Sequence, residues 1–296
     1  MVGSLQTEVE KLKTIYYEIV RGHTFIPELD VYIKHFSELE NIEIANKKQL
    51  FYNQYIKEGI PSYEERMKML NEIGEWTKAD EENIIFLRGA IIDNEKNIPT
   101  MTMMNKVIPE QQEYLKQIIK DKKKELTTAL LKKRSILGAT AEEFSERDTI
   151  NYMTYRALQS SNNKPLFESF DDFLELDDDL METYIVKMDE AVAKFDEQNI
   201  RKIAVMPFFI NMFSYTKENV FFFFNKAMIE LTNFQFMLIS LGSRNLGVLQ
   251  NCDKEPPEIL EVSDLDKLVS FYDMEFSVLL GKRHTTRPSQ NRVVVG

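Results

Sequence analysis

Cysteine, histidine, glycine and proline are all scarce in this chain of 296 residues. It contains one cysteine, three histidines, 10 glycines and 9 prolines. A single cysteine, Cys252, excludes an internal disulfide and a site built on several thiolates. So few glycines and prolines argue against an all-β fold, which needs a turn residue about every eight to twelve positions.

Long apolar runs and net positive charge are also missing. No run of about 18 apolar residues occurs, so we expect no membrane-spanning segment, and the charged first residues lack the apolar core of a signal peptide. The 37 basic and 48 acidic residues give a net charge of −11. This charge disfavours nucleic acid, because phosphate neutralisation supplies most non-specific affinity. We therefore expect an intracellular protein with neither a membrane nor nucleic acid as partner.

The histidines and Cys252 predict no metal or catalytic centre. His23, His35 and His284 lack the paired spacing of a zinc site. We interpret His23 and His35 as turn or surface residues. Cys252 is followed by an aspartate, which disfavours the reactive thiolate.

The glycines at 242–247 (GSRNLG) have the spacing of a phosphate-binding loop, but the chemistry is absent. Val248 and Leu249 stand where a lysine and a hydroxyl residue are required. We interpret these glycines as sites of close helix packing or a helix end. No catalytic residue, cofactor or metal is expected, and an enzyme with a carboxylate-bound metal is the minor alternative.

Apolar residues recur at three- and four-residue steps through the first half, which predicts helices. The first runs from Leu5 to Val20 and ends at Gly22. The residues at 23–36 favour either a short strand pair or an irregular segment. Capping-box spacing predicts two further helix starts, at Ser62 with Glu65 and at Thr140 with Glu143. The second of these helices is expected to reach about Gln159.

Two long helical segments predict an antiparallel hairpin of coiled-coil type at about 78–137. The first follows Thr77 and is expected to end at about Asn97, because Pro99 interrupts it. The second begins at Pro109 and ends at Leu137. At about 1.5 Å per residue it would extend roughly 40 Å, which predicts an arm.

The second half is predicted to be a separate helical domain. The turn-forming residues at 160–165 (SSNNKP) are interpreted as a linker. Helices are expected after 177–179, on both sides of Pro207, at Leu231 to Gln250 and at Ser263 to Leu280. The apolar residues of the Leu231 helix occupy several faces, so it should be central.

The predicted fold is therefore mainly α, a multi-helix protein with a long antiparallel hairpin and a second helical domain. The N-terminal helical domain is 1–160 with its hairpin arm. The phenylalanine-rich C-terminal domain is 166–281, and 282–296 is a basic flexible tail.

Phenylalanine is concentrated between Met206 and Phe236. Residues 221–224 are four consecutive phenylalanines (Phe221, Phe222, Phe223 and Phe224), so their side chains must point in different directions. Leaving large apolar side chains exposed is costly and promotes association. We expect another subunit to cover at least one of them, and we predict that all four bind a partner.

Two charged segments are further candidate partner sites. The run at 168–190 carries ten acidic residues and one lysine, and Asp177, Asp178 and Asp179 are predicted to bind a basic surface. The pattern alone favours a solvated loop and helix N-cap, and it disfavours a calcium loop because no central glycine provides the turn. The basic tail, with Arg283, Arg287 and Arg292, is predicted to bind an acidic surface.

Short segments in both halves are distinctive: PFFINMF, the aromatic run and NKAMIELTNFQ in the second half, and GIPSYEE, EWTKADEE and LGATAEEF in the first. Through these segments the sequence resembles proteins encoded by large tailed bacteriophages. The resemblance implies a tail or baseplate assembly function in the host cytoplasm, with incorporation in the virion as an alternative. It carries no catalytic residue.

The leading hypothesis is a non-enzymatic phage structural or assembly protein that acts through protein–protein contacts. Its expected partners are other viral structural or assembly proteins, with a second copy of this chain as an alternative. The second hypothesis is an acidic regulatory adaptor that binds a host or viral enzyme, such as a polymerase.

Overall fold

Helices make up most of the protein, which confirms the mainly α class. The computed structural model describes the backbone of 2–103, 109–216, 219–252, 254–257 and 265–285, and the side chains of 6–97, 112–216, 219–252, 254–257 and 265–281. The helices are α1 Val2–Arg21, α2 Glu38–Lys57, α3 Tyr63–Glu72, α4 Lys78–Met103, α5 Pro109–Leu137, α6 Ala141–Ala157, α7 Phe170–Leu174, α8 Asp178–Ala193, α9 Glu197–Ala204, α10 Pro207–Tyr215, α11 Val220–Phe224, α12 Asn233–Asn251 and α13 Leu265–Thr285. Within these ranges, no helix has both the length and the apolar character that crossing a membrane requires.

The chain divides into two compact units, and the division differs from the predicted boundary. One unit contains Met1–Asn46 and Ile150–Gly296, and the other contains Lys47–Thr149. The predicted linker at 160–165 is a tight turn inside the first unit. Ser160 N donates to Lys164 O at 2.9 Å, and Gln159 pairs with Pro165 as an isolated β-bridge. The turn residues were identified correctly. The linker interpretation is wrong, because hydrogen bonds close the turn and the residues before and after it belong to the same unit.

A small antiparallel sheet belongs to the first unit. Its strands are β1 His23–Ile26, β2 Val31–Lys34 and β3 Leu158–Gln159, in that order. The strand pair, one of the two alternatives for 23–36, is therefore confirmed. The strand at Leu158–Gln159 corrects the helix predicted to continue there. It pairs with β2 and places Leu158 opposite Ile33, both buried.

The main core of the first unit surrounds α12, as its apolar faces predicted. Phe209 and Phe213 of α10 pack against it, and both are almost fully buried. Pro207 separates α9 from α10, which confirms the predicted interruption. Gly242 of α12 allows the close approach, since a Cβ there would lie 3.0 Å from the Phe209 ring. Residues 242–247 are helical, in agreement with the packing interpretation.

Buried amides of α12 satisfy the carbonyl groups at the ends of two neighbouring helices. Gln235 Nε2 donates to the carbonyl oxygens of Ile19 at 2.8 Å and Val20 at 3.1 Å in the last turn of α1. Asn245 Nδ2 donates to Ala204 O at 3.0 Å, at the end of α9. Because unpaired buried carbonyl groups are costly, these amides fix the helices around α12.

A second cluster of the first unit joins the sheet to α7 and α8. Phe173 of α7 is fully buried and packs with Ile33 and Met188. Sequence reasoning did not predict α7. Its signal was the capping box of Ser169 and Asp172, which the structure forms in both directions.

The second unit is built on the α4–α5 hairpin. Ion pairs join Lys123 to Glu95 and Lys132 to Asp80. The α5 residue with the higher residue number pairs with the α4 residue with the lower one, so the two helices are antiparallel. Trp76, 2% exposed, lies in the small core of this unit.

The predicted helix end before Pro99 is wrong, because α4 continues to Met103. A proline removes one helix hydrogen bond, and the helix extends for one further turn beyond that loss. The start and end of α5 agree with the prediction.

Candidate functional site

The segment at 219–232 lines three concave surfaces of the first unit. It contains α11, the 3₁₀ turn Met228–Glu230 and Thr232, the N-cap residue of α12. Asn219 caps α11, because its Oδ1 accepts from Phe221 N at 3.0 Å and Phe222 N at 3.3 Å. Asn225 ends α11 with a φ of 52°, a left-handed conformation that asparagine tolerates well. The segment thus has a defined backbone although its apolar residues are exposed.

The four consecutive phenylalanines divide into an exposed and a covered pair. Phe221 is 57% exposed and Phe222 is 75% exposed, whereas Phe224 is buried. Phe223 is half-buried, and its ring packs edge-on against Phe209, with centroids 5.8 Å apart. A helix of only five residues cannot direct four adjacent side chains to one core.

The Phe222 groove is the first concave surface, with a volume of about 360 Å³. Tyr17 of α1 and Met212 of α10 keep more than half of their surface exposed beside it. The full lining is Lys13, Tyr16, Tyr17, Val20, Phe208, Met212, Thr216, Phe222 and Phe223. Aromatic and methionine side chains of this kind are enriched at protein interfaces.

The Phe236 groove is the second concave surface, with a volume of about 530 Å³. Its apolar residues come from α2, the 3₁₀ turn and α12. The lining is Glu38, Leu39, Met228, Ile229, Leu231, Asn233 and Phe236. Leu39, Met228, Ile229 and Phe236 are 46–61% exposed, so the groove is open along one side.

The Lys226 pocket is the third surface, with a volume of about 400 Å³. It shares Leu39 and Ile229 with the Phe236 groove and is more polar. Its lining is Gly22, Lys34, His35, Ser37, Leu39, Glu40, Lys226, Ile229, Glu230 and Thr232. The two surfaces are therefore contiguous, one apolar and one charged.

His35 lies on the buried side of this pocket and is 3% exposed, so its interpretation as a turn or surface residue is wrong. The reason is strand alternation, since Val31, Ile33 and His35 share the buried face of β2 and its extension. Burial lowers the pKa of His35 to about 3, with repulsion from nearby cationic groups adding to the effect. The imidazole is therefore neutral near pH 7.

A hydrogen-bonded chain determines the tautomer of His35. Thr24 Oγ1 donates to Glu18 Oε2 at 3.4 Å, so it accepts from His35 Nε2 at 3.0 Å. Lys194 Nζ lies 2.6 Å from the same carboxylate oxygen. His35 Nδ1 consequently carries the lone pair, and it has no hydrogen-bond partner among the described residues.

The predicted acidic site has local structural roles. Asp177 caps α8 and accepts from Asp179 N at 3.0 Å. Asp178 and Asp179 lie in the first turn, where carboxylates stabilise the helix dipole. The predicted helix start is confirmed, and partner binding by these residues stays a prediction.

The predicted tail site lies largely outside the described residues. Arg287 and Arg292 fall there entirely, and of Arg283 only the helical backbone is described. Helix α13 extends to Thr285, so the start of the predicted flexible tail is helical.

Potential metal-ligating side chains are dispersed across the part of the chain that the structure describes. No cluster of three or more histidine, cysteine or acidic side chains there has the arrangement to hold a metal ion. Cys252 is a free thiol that donates to Glu275 Oε2 at 3.3 Å.

The chain was compared with protein-family models, curated proteins and solved structures, and it matches none of them.

Sequence reasoning identified the phenylalanines but missed the Lys226 pocket. Its residues are far apart in the chain, and only the approach of β2, α2 and the 3₁₀ turn brings them together. The alternation of Val31, Ile33 and His35 was an available signal for the burial of the histidine.

Proposed function

We propose that this protein is a non-enzymatic assembly protein that works through protein–protein contacts. The observation that carries the proposal is the exposure of Phe221 (57%) and Phe222 (75%) on a helix capped by Asn219. Burying a phenylalanine side chain stabilises a complex by about 1.5–3 kcal/mol. Exposed apolar patches of this kind mark interaction sites.

The Phe222 groove supports the same proposal. Tyr17 and Met212 border it and are 58% and 53% exposed. A partner side chain inserted between them and Phe222 would bury apolar surface on both sides. Such central aromatic contacts contribute most of the affinity in many interfaces.

The resemblance to tailed-bacteriophage proteins supplies the biological setting of the proposal. The partners are other viral structural or assembly proteins of the tail or baseplate type, with a second copy of the chain as the alternative. The protein acts in the host cytoplasm and is incorporated in the virion if the contact persists.

The adaptor hypothesis receives less support from the acidic run. Asp177 caps α8, and Asp178 and Asp179 occupy its first turn. These local roles account for the residues without a basic partner.

Replacement of both exposed phenylalanines tests the proposal. The Phe221→Ser/Phe222→Ser protein should lose association with purified tail and baseplate proteins, measured by analytical ultracentrifugation of the mixtures. Phe86→Ser is the matched control, because Phe86 is 65% exposed on α4 in the other unit. The control should associate as the wild type does.

Two results would contradict the proposal. One is a wild-type protein that stays a strict monomer and binds none of the purified tail and baseplate proteins. The other is equal loss of association in the double variant and in the Phe86 control, which would mean that association follows general surface apolarity.

A further inference from the structure

Lys226 is a half-buried charge that the proposed function does not use. Its ammonium group lies over Gly22, where a Cβ would be 3.2 Å from Lys226 Nζ. Gly22 has a φ of +77°, so the absence of a side chain both permits the turn and leaves room for the ammonium. Among the described residues, no carboxylate forms an ion pair with Lys226.

The carboxylates that face Lys226 have other partners. Glu40, on α2, pairs with Lys34 and accepts from Ser37 N at 3.0 Å. Glu230, in the 3₁₀ turn, accepts from Ala227 N at 3.0 Å. The other lysine of the described pocket lining, Lys34, pairs with Glu40, so Lys226 is the lining lysine without a direct ion pair among the described residues.

Burial without a direct ion-pair partner disfavours the charged form of Lys226. Desolvation lowers the pKa of Lys226, and repulsion from Lys34 acts in the same direction, while Glu230 and Glu40 oppose it. An additional carboxylate in the pocket would restore part of the lost solvation through charge-assisted hydrogen bonds. Lys226 can therefore take one further anionic partner beside Glu40 and Glu230, which keep their own contacts in the same lining.

The adjoining Phe236 groove determines what should accompany that anion. Leu39 and Ile229 line both surfaces, so an occupant can contact Lys226 and the apolar wall together. The apolar wall is about half exposed, which suits a protein segment that covers it from outside.

We infer that the Lys226 pocket and the Phe236 groove form one docking site for a partner-protein segment in which a glutamate or aspartate is flanked by large apolar side chains. The carboxylate pairs with Lys226 Nζ, and the apolar side chains pack on Leu39, Ile229 and Phe236. This inference rests on the proposed protein–protein function, but it concerns a surface separate from Phe221 and Phe222.

A pair of peptides tests this inference on the full chain. The probe is the fluorescein-labelled, C-terminally amidated peptide Ser-Leu-Leu-Glu-Phe-Leu-Ser, and its partner has Gln in place of Glu. Fluorescence anisotropy should show the Glu peptide binding the wild type about tenfold more tightly, as expected of a charge-assisted contact. Lys226→Met should abolish this preference, whereas Lys187→Met, which makes the same charge change on α8, should keep it.

The stability of the free protein gives a second readout that needs no ligand. Lys226→Met removes a half-buried charge, so its midpoint of thermal unfolding should rise by about 2–4 °C. A midpoint that falls would overturn the inference, because it would give Lys226 a stabilising role within the fold.

The remaining outcomes separate this inference from the proposed function. The Phe221→Ser/Phe222→Ser protein should bind both peptides as the wild type does. Equal affinity for the two peptides, or a preference that survives Lys226→Met, would overturn the inference and leave the Phe222 groove unaffected. Self-association of the wild type that Lys226→Met abolishes would also overturn it, since the occupant would then be a second copy.

Discussion

Phe209 and Phe222 belong to the same phenylalanine-rich stretch, but their environments are opposite. Phe209 is 0% exposed in the core around α12, whereas Phe222 is 75% exposed beside its groove. Phe209 and Phe213 are four residues apart on α10, so one helix face buries both rings. Phe222 lies in a run of four consecutive phenylalanines, which no single face can bury.

The difference shows that side-chain spacing decides whether an aromatic residue serves the fold or remains available for contacts. Phe223 lies at the boundary, since its ring packs edge-on against both Phe209 and Phe213. The covered half of the run anchors α11 to the core. The exposed half is thereby held in a defined position on the surface.

The largest expected effect tests the two sides of this comparison directly. Phe209→Ala should lower the free energy of unfolding by about 3–5 kcal/mol, because it leaves a cavity in a packed core. Phe222→Ala should change it by less than about 0.5 kcal/mol, as expected for an exposed residue. Urea denaturation followed by circular dichroism measures both values. Similar losses in the two variants would mean that Phe222 is packed in solution.

An acid-stability measurement extends the comparison to a polar residue of the core. His35, with a pKa of about 3 in the folded protein, takes up a proton near pH 6.5 when unfolded. The free energy of unfolding therefore decreases as the pH falls from 6.5 toward 3, because the unfolded chain binds a proton that the folded protein does not. Between about pH 8 and pH 5, His35 should account for a loss of about 2 kcal/mol.

The His35→Gln variant isolates that contribution. It should be less stable than the wild type near pH 8, because the substitution removes the packing of the imidazole against Phe195 and Phe234. Between about pH 8 and pH 5, the free energy of unfolding of the variant should fall less than that of the wild type. The difference between the two falls should be about 2 kcal/mol. Parallel pH profiles for the two proteins would contradict the burial of His35.

The smallest expected effect compares two glycines of α12. Gly242→Ala places a Cβ 3.0 Å from the Phe209 ring and should destabilise the protein by about 1–2 kcal/mol through overpacking. Gly247→Ala meets no described atom within 4 Å and should stabilise it by about 0.5–1 kcal/mol through helix propensity. Thermal unfolding of both variants checks the opposite signs. Stabilisation by both would show that the contact of α10 with α12 is loose.

Local signals predicted most of the secondary structure. The capping box at Ser62 and Glu65 is formed, Pro109 begins α5 and Pro207 begins α10. Such signals act within a few residues and are readable without tertiary context. The continuation of α4 through Pro99 was not predictable in this way.

The candidate site was predictable only in part. Phe221 and Phe222 were identified because a run of apolar residues is visible in the sequence itself. The Lys226 pocket was not, since Lys34 comes from β2, Glu40 from α2 and Lys226 from the connection between α11 and the 3₁₀ turn. Their juxtaposition depends on long-range packing, which no local pattern encodes.

The sequence by itself determined the mainly α class, the helix starts and the phenylalanine run, because caps, prolines and apolar spacing act locally. Tertiary structure decided the rest. It grouped Ile150–Gly296 with Met1–Asn46, buried His35 and left Lys226 half-buried without a direct ion-pair partner among the described residues. These outcomes depend on which distant surfaces exclude water from one another, and that is settled only when the chain packs.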